Sequence, residues 1–108
     1  MTPAVCHLPL VCGGVLDAVS AAQVKRDALR RIDGESSVVI DLSEIEFIDS
    51  VGLGVLVGLF KTIRTQGRRA NFCGVRPGVH RVLEIIRLDE IFEVHPDLET
   101  ASRALAAD

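Results

Sequence analysis

The sequence predicts an α/β fold built on a mixed, largely parallel sheet of about four to five strands with about four helices. Short runs rich in β-branched residues alternate with helical patterns of about 10 to 15 residues, which implies crossover connections between parallel strands. The length of 108 residues is sufficient for one hydrophobic core. We therefore expect a single domain over residues 1–108.

Four segments are predicted as strands. The apolar run "SVVIDL", Ser37–Leu42, is typical of a central strand that is covered on both faces. Weaker strands are predicted around Phe72 and around Val94. The first segment, Val5–Cys12, contains Pro9, which interrupts a hydrogen-bond ladder. We therefore place it at a sheet edge, which is open to pairing with another chain in a weak homodimer.

Four helices are predicted from apolar residues that recur at i, i+3, i+4 and i+7. The first begins close to Asp17 and ends at Gly34, and its apolar stripe includes positions 29 and 32. The second runs from about Ser50 to Thr65. The third follows Pro77, which suits a first helical turn, and has apolar residues at 79, 82, 83 and 86. The last follows Pro96 and has apolar residues at 98, 101 and 105.

Composition disfavours several classes of protein. A net charge of -3 without Trp or Tyr argues against a nucleic-acid surface. The apolar runs are far shorter than the roughly 20 residues that cross a bilayer, and no leader opens the chain, so we expect a cytoplasmic protein without a membrane span. The three cysteines, Cys6, Cys12 and Cys73, contain no Cys-x-x-Cys pair, which favours buried thiols over disulfides or a zinc site.

The stretch "EFIDSVGLGVL", residues 46–56, places glycines at the start of a helix. A glycine inside a helix costs roughly 1 kcal/mol relative to alanine, so a local reason is needed. In one interpretation Ser50 is a plain N-cap that accepts from the N–H of Gly52 or Leu53. In the other, Gly52 clears room beside a serine hydroxyl that another protein must reach. Gly54 and Gly58 are expected to let the helix lie close to the sheet.

Ser50 is not predicted to be a catalytic nucleophile. A nucleophile elbow requires G-x-S-x-G, and Ile48 stands where its first glycine belongs. The segment "GLGVLVG" also lacks the lysine and the spacing of a phosphate-binding P-loop. We therefore expect a protein that is not an enzyme, with no cofactor and no metal.

A phosphate on Ser50 is the alternative chemistry. It adds about -1.5 to -2 charges, and the dipole and N–H groups at a helix N-terminus favour an anion, so the fold is expected to tolerate it. A partner packed over the same helix start would have to desolvate that charge beside Asp49. A cost of about 4 kcal/mol would weaken binding roughly a thousandfold. The position therefore suits a switch of binding and not of folding.

The segment "VVIDLSEIEFIDSVGLGVL" resembles the central motif of STAS domains, specifically of bacterial anti-sigma-factor antagonists. The likeness extends upstream to "GGVLDAVSA", which is similar to the Gly-x-Leu-Asp turn of that family. Downstream, "VRPGVHRVLEIIRLDEIFEVHPDLETASRAL" resembles its Pro-led third helix, short last strand and closing helix. The resemblance implies a single STAS-type domain.

The resemblance also implies a function. Ser50 would be phosphorylated by an anti-sigma factor that is itself a serine kinase, and dephosphorylated by a PP2C-type phosphatase. The unphosphorylated protein would bind the anti-sigma factor and release the sigma factor. ATP and Mg²⁺ would belong to the kinase.

Further site residues follow from the same resemblance. Asp17 would lie near Ser50 and face a basic group of the partner, or would simply cap the first helix. Asp49 would help to present the serine, and Asp41 would either support loop hydrogen bonds or contact the partner. Family members often have a second serine or threonine where this chain has Val51. The docking surface would include Val51, Gly52, Leu53 and Leu56, of which the two leucines are otherwise core residues.

Other functions remain open from sequence. STAS-like domains also serve as accessory subunits of lipid-transport ATPases or as scaffolds in stress-signalling assemblies, and the intact Asp49–Ser50 pair favours the switch over these roles. Ligand sensing at the helix N-terminus has little support, because we expect no aromatic or basic residues around Ser50 to hold a base or a phosphate. Redox gating through the cysteines has no motif to support it.

Overall fold

The computed structural model describes residues 5–32 and 37–106. The predicted strands and helices alternate in the expected order along these ranges, and two short strands that the sequence did not predict are also present. The strands are β1 (Val5–Pro9), β2 (Val15–Leu16), β3 (Ser37–Asp41), β4 (Phe47–Ile48), β5 (Ala70–Cys73) and β6 (Val94–His95). The helices are α1 (Ala21–Arg31), α2 (Ser50–Thr65), α3 (Pro77–Ile85) and α4 (Leu98–Ala106), and a short 3-10 helix spans Leu88–Glu90.

The main sheet has four parallel strands in the order β1-β3-β5-β6. The predicted central position of β3 and edge position of β1 are both confirmed, and Pro9 lies opposite Asp41 at the last position of β1. The next residue, Leu10, still donates its N–H to the carbonyl oxygen of Asp41 at 3.1 Å. Alternate residues of an edge strand bond to its neighbour, so the missing N–H of Pro9 falls on the open side of β1. Strands β2 and β4 form a separate parallel pair, in which Leu16 lies opposite Ile48.

Both faces of the main sheet are covered. Val38 and Ile40 of β3 belong to the larger core cluster, which also includes buried side chains of α1, α2 and α3. Val39 points to the other face, where it packs with Ala101 and Leu105 of α4. Successive residues of a strand point to opposite faces. The uninterrupted apolar run of β3 is therefore explained by two covered faces.

Some predicted boundaries are wrong. Helix α1 begins at Ala21, because Asp17 instead closes a turn ahead of it. The predicted end at Gly34 lies outside the described residues. The predicted apolar stripes include Leu29 and Ile86, yet 41% and 45% of their surfaces are exposed. Strand β3 ends at Asp41, one residue before Leu42.

Candidate functional site

The site lies where β4 leads into α2. Asp49 has an extended backbone, and its Oδ1 accepts a hydrogen bond of 2.9 Å from the N–H of Gly52. Its carbonyl oxygen accepts from the N–H of Leu53 at 2.9 Å. Asp49 is therefore the N-cap of α2, and the prediction that Ser50 is the cap is wrong. Ser50 is the first residue of the helix.

The side chain of Ser50 is exposed to solvent. Within residues 5–32 and 37–106, its hydroxyl forms no hydrogen bond. Because Asp49 supplies the cap, the serine hydroxyl is not needed to satisfy the helix terminus. The arrangement leaves this oxygen accessible to another protein.

Gly52 is required by a close approach between α2 and β2. A Cβ atom at this position would lie 2.2 Å from the carbonyl oxygen of Leu16 and 2.8 Å from Cγ1 of Ile48. The glycine therefore makes room for the backbone of β2 and not for the hydroxyl of Ser50. The predicted packing role of Gly54 and Gly58 is also wrong, because a Cβ at Gly54 meets nothing within 4 Å and one at Gly58 meets only Lys25 Nζ at 3.8 Å.

Asp17 lies beside the start of α2 through the pairing of β2 with β4. The N–H of Asp49 donates to the carbonyl oxygen of Leu16 at 3.2 Å, and Leu16 lies opposite Ile48. Asp17 directly follows Leu16 and Asp49 directly follows Ile48, so the two residues lie at the same end of the paired strands. The Oδ1 of Asp17 accepts from the N–H groups of Val19 (3.0 Å) and Ser20 (3.2 Å). This half-buried carboxylate thus caps the turn that leads to α1.

Asp41 lies at the end of β3, where its side chain contacts His7 and Ser43. His7 Nε2 lies 2.7 Å from its Oδ2, and the N–H of Ser43 donates to its Oδ1 at 2.9 Å. Burial alone would raise the pKa of Asp41, but the hydrogen bonds from His7 and Ser43 outweigh it and hold this pKa below its ordinary value. The predicted role in loop hydrogen bonding is the one that these contacts support.

The four predicted docking residues of α2 differ in exposure. Val51 is 47% exposed and Leu53 is half-buried. Gly52 is buried, and Leu56 has no exposed surface. Leu56 therefore has the core role that the sequence left open, and only Val51 presents a large apolar side chain to solvent.

Sequence reasoning missed the contribution of the small sheet to this surface. Phe47 is 58% exposed and Val15 is 38% exposed, and the two are paired across β2 and β4. Successive strand residues face opposite sides, so the burial of Ile48 could have identified Phe47 as exposed. We call Val15, Phe47, Ser50 and Val51 the α2-start surface.

The α2-start surface combines three exposed apolar side chains with one exposed hydroxyl, and several acidic residues are close to it in sequence. Glu44 and Glu46 of the preceding turn are exposed, and Asp17 and Asp49 directly follow β2 and β4. Arg76 Nη1 lies 3.9 Å from Glu46 Oε1, and its Nε donates to the carbonyl oxygen of Ser43 at 2.9 Å.

In the described part of the chain, no group of three or more His, Cys, Asp and Glu side chains is placed to hold a metal ion.

A comparison with protein-family models matches residues 5–101 to the STAS domain. The match includes β1, the β4–α2 junction and the start of α4 as far as Ala101. The chain belongs to the STAS-domain family.

Relatives of this STAS domain are named for sigma-factor control. It is 36% identical over 90 residues to the anti-sigma-B factor antagonist of Listeria monocytogenes, covering 82% of this chain and 78% of that protein. An anti-sigma factor antagonist from Mycobacterium paratuberculosis has a similar structure, with a TM-score of 0.76 and 28% identity over 86% of this chain and 80% of that one. These names describe regulatory proteins, which supports the prediction that the chain is not an enzyme.

The fold is shared more widely than the sequence. The STAS domain superimposes on the anti-sigma factor antagonist SpoIIAA in its unphosphorylated form with a TM-score of 0.71 and 19% identity, over 96% of this chain and 90% of SpoIIAA. Among the residues that the structure describes, none of the helices has the length and apolar character needed to span a membrane.

Proposed function

We propose that this STAS domain is an anti-sigma-factor antagonist, and that phosphorylation of Ser50 switches off its binding to an anti-sigma factor kinase. The observation behind the proposal is the exposed hydroxyl of Ser50, which the fold does not use, on the otherwise apolar α2-start surface. The names of the relatives in Listeria and Mycobacterium support the same class of partner.

The fold is suited to receive a phosphate at Ser50. The side chain lies on the first residue of α2, where backbone N–H groups lack intrahelical partners and the helix dipole favours negative charge. The carboxylate of Asp49 remains bonded to the N–H of Gly52 and keeps the helix capped. Phosphorylation therefore leaves the folded structure intact.

The partner interface responds differently. A kinase that docks on the α2-start surface buries Phe47, Val15 and Val51, whose exposed areas supply the apolar part of the contact. A phosphate adds about -1.5 to -2 charges within that contact, next to Asp49 in the chain. If desolvation and repulsion together cost about 4 kcal/mol, the affinity falls roughly a thousandfold.

The remaining components follow from the same mechanism. The kinase supplies ATP and Mg²⁺, and a PP2C-type phosphatase returns Ser50 to the free hydroxyl. The unphosphorylated chain then binds the anti-sigma factor and releases the sigma factor, in the cytoplasm. Asp17, which directly follows β2, faces a basic group of the kinase.

The proposal is tested by intact-mass spectrometry of the chain before and after incubation with ATP, Mg²⁺ and each anti-sigma factor kinase of the same genome. We expect the addition of one phosphate, which Ser50→Ala abolishes. Ser43→Ala is the matched control, because Ser43 is also exposed and lies in the turn before β4. Its phosphorylation is expected to equal that of the unaltered chain.

Binding of the same kinases is then measured by calorimetry with the unmodified and the phosphorylated chain. A loss of affinity of about a thousandfold on phosphorylation supports the switch. If kinases that are active on other substrates leave Ser50 unmodified, the phospho-switch is wrong, and the accessory or scaffold role becomes the better explanation.

A further inference from the structure

A cavity of about 300 Å³ lies between the end of β1 and helix α1. Small-molecule sites have volumes of about 300 to 1,000 Å³ and combine apolar walls with a few polar groups. This cavity is at the lower end of that range, and three charged residues of α1 line it together with five apolar residues, Pro9, Leu10, Val11, Val24 and Ala28. We call it the α1 cavity.

The apolar side of the α1 cavity is continuous with the core. Leu10, Val24 and Ala28 belong to the larger core cluster and are buried. Val11 lines the same cavity, yet 67% of its surface is exposed. A ligand with an aliphatic chain would cover this side chain and remove its apolar area from water.

The charged side of the α1 cavity is formed by Asp27, Arg30 and Arg31. The carboxylate of Asp27 is already engaged, because the Nε2 of Gln23 donates to its two oxygens at 3.0 and 3.1 Å. The Nη2 of Arg30 lies 4.0 Å from Asp27 Oδ1, which is a long ion pair between exposed groups. The Nη1 of Arg31 donates to the carbonyl oxygen of Pro9 at 3.2 Å, and this bond holds the guanidinium group at the cavity.

The arginines also have a structural role, because both lie in the last turn of α1, where the helix dipole favours cations. The dipole amounts to about half a negative charge at this end, whereas each guanidinium group carries a full positive charge. Helix α1 has four basic residues and one acidic residue, in a chain whose net charge is -3. The α1 cavity therefore lies where positive charge is in excess, which favours an anion.

We propose that the α1 cavity binds a single-chain aliphatic carboxylate, with its chain on the apolar lining and its carboxylate beside Arg30 and Arg31. Water occupies about 30 Å³ in the liquid and a methylene group is of about the same size, so the cavity holds about ten such groups. This volume matches octanoate or decanoate and is too small for the two long chains of a phospholipid. A guanidinium group donates two parallel hydrogen bonds to a carboxylate, which a neutral hydroxyl group cannot accept.

The proposal is independent of the phosphorylation of Ser50. The residues of the α2-start surface lie outside the lining of the α1 cavity. Ser50→Ala is therefore expected to bind the same carboxylates with unchanged affinity.

NMR titration of the isotope-labelled chain with hexanoate, octanoate and decanoate tests the proposal. We expect saturable shifts at residues 9–11 and 24–31, with dissociation constants between about 0.1 and 10 mM. Each buried methylene group strengthens binding up to about fourfold, so affinity should rise as far as decanoate and no further for tetradecanoate. Octanol is the neutral match of octanoate and should bind about threefold more weakly.

Variants of exposed residues separate the two sides of the cavity. Val11→Asp places a negative charge in the wall and should weaken octanoate binding by about tenfold. Val19→Asp is the matched control, because Val19 is 91% exposed in the turn before α1 and lies outside the lining, and it should bind as the unaltered chain does. The double variant Arg30→Gln/Arg31→Gln should bind octanoate and octanol equally. The NMR spectra report directly that each variant is folded.

Three outcomes would overturn the proposal. Shifts that spread over the chain without saturation would show surfactant association only. Equal affinity of the unaltered chain for octanoate and octanol would show that the arginines serve only the end of α1. Tighter binding of acetyl-Leu-Leu than of any of the fatty acids would assign the cavity to the carboxyl end of a partner protein.

Discussion

Gly52 is the residue at which the position of α2 depends on the absence of a side chain. The space that a Cβ would occupy is already filled by the carbonyl oxygen of Leu16 and by side-chain atoms of Leu16 and Ile48. Backbone of the paired strands cannot move aside as the end of a flexible side chain can. The glycine therefore fixes how closely the helix that bears Ser50 lies against β2.

Gly52→Ala is expected to lower the free energy of unfolding by about 2 to 4 kcal/mol, because the added methyl group forces α2 away from β2. Gly54→Ala is the matched control. It adds the same atom to the same helix at an exposed site with nothing within 4 Å, so we expect a gain of about 0.5 to 1 kcal/mol. Urea denaturation measures both, and equal effects would contradict the close approach.

Strand β1 is held to the sheet by a side-chain contact as well as by its backbone ladder. His7 of β1 contacts Asp41 of β3, the strand next to it. The Nη1 of Arg31 in α1 also donates to the carbonyl oxygen of Pro9 at 3.2 Å. An edge strand lacks a neighbour on one side, so such contacts add stability that a central strand does not need.

The contact between His7 and Asp41 gives a pH dependence with a definite sign. The pKa of Asp41 is lowered in the folded chain, so its contribution to stability is present above the unfolded pKa and is lost as the pH falls through the lowered folded pKa. In His7→Ala the pKa of Asp41 should rise, because burial then acts with one hydrogen bond fewer to oppose it. The loss of stability at acid pH should therefore be smaller in His7→Ala than in the unaltered chain.

Carbon-13 NMR of the Asp41 carboxyl group between about pH 2 and 6 measures this pKa. His80→Ala is the control, since His80 contacts Glu84 at 3.0 Å and not Asp41. An Asp41 pKa that is the same in His7→Ala and His80→Ala would show that the histidine of β1 has no part in the shift.

The whole molecule consists of one sheet with cover on both faces. Helix α4 covers the face on which Val39 and Cys73 lie, and the Nδ2 of the buried Asn71 donates to the carbonyl oxygen of Ala101 at 3.0 Å. Helices α1, α2 and α3 cover the opposite face. Access to the middle of the sheet therefore requires the loss of a whole covering helix.

The reactivity of the Cys73 thiol can be used to detect the loss of a covering helix. Burial, together with the nearby carboxylates of Asp41 and Asp97, raises its pKa to about 11. At pH 8 only about one such thiol in a thousand is ionised, and 1% of the residue surface is exposed. We expect iodoacetamide to modify Cys73 only in the unfolded fraction, with a rate that rises with urea as the unfolded population does.

Peptide mass spectrometry separates Cys73 from Cys6 and Cys12, which are half-buried and serve as internal controls. Rapid modification of Cys73 in the absence of urea would show that α4 opens locally, in disagreement with a cooperative unit.

The sequence by itself determined the alternation of strands and helices, the central position of β3, the edge position of β1 and the limits of α2 at Ser50 and Thr65. It also identified Ser50 as an exposed residue at a helix start. These features depend on periodicity, turn residues and capping types, which act over a few neighbouring residues.

Only the tertiary structure decided that Asp49 and not Ser50 caps α2, that Gly52 is required by Leu16, and that Leu56 is buried. It also joined Asp41 to His7 and paired Phe47 with Val15 on the exposed side of the small sheet. Each of these contacts brings together residues far apart in the chain or depends on how one element approaches another. Local sequence patterns do not specify that approach, because it is set by the packing of the whole core.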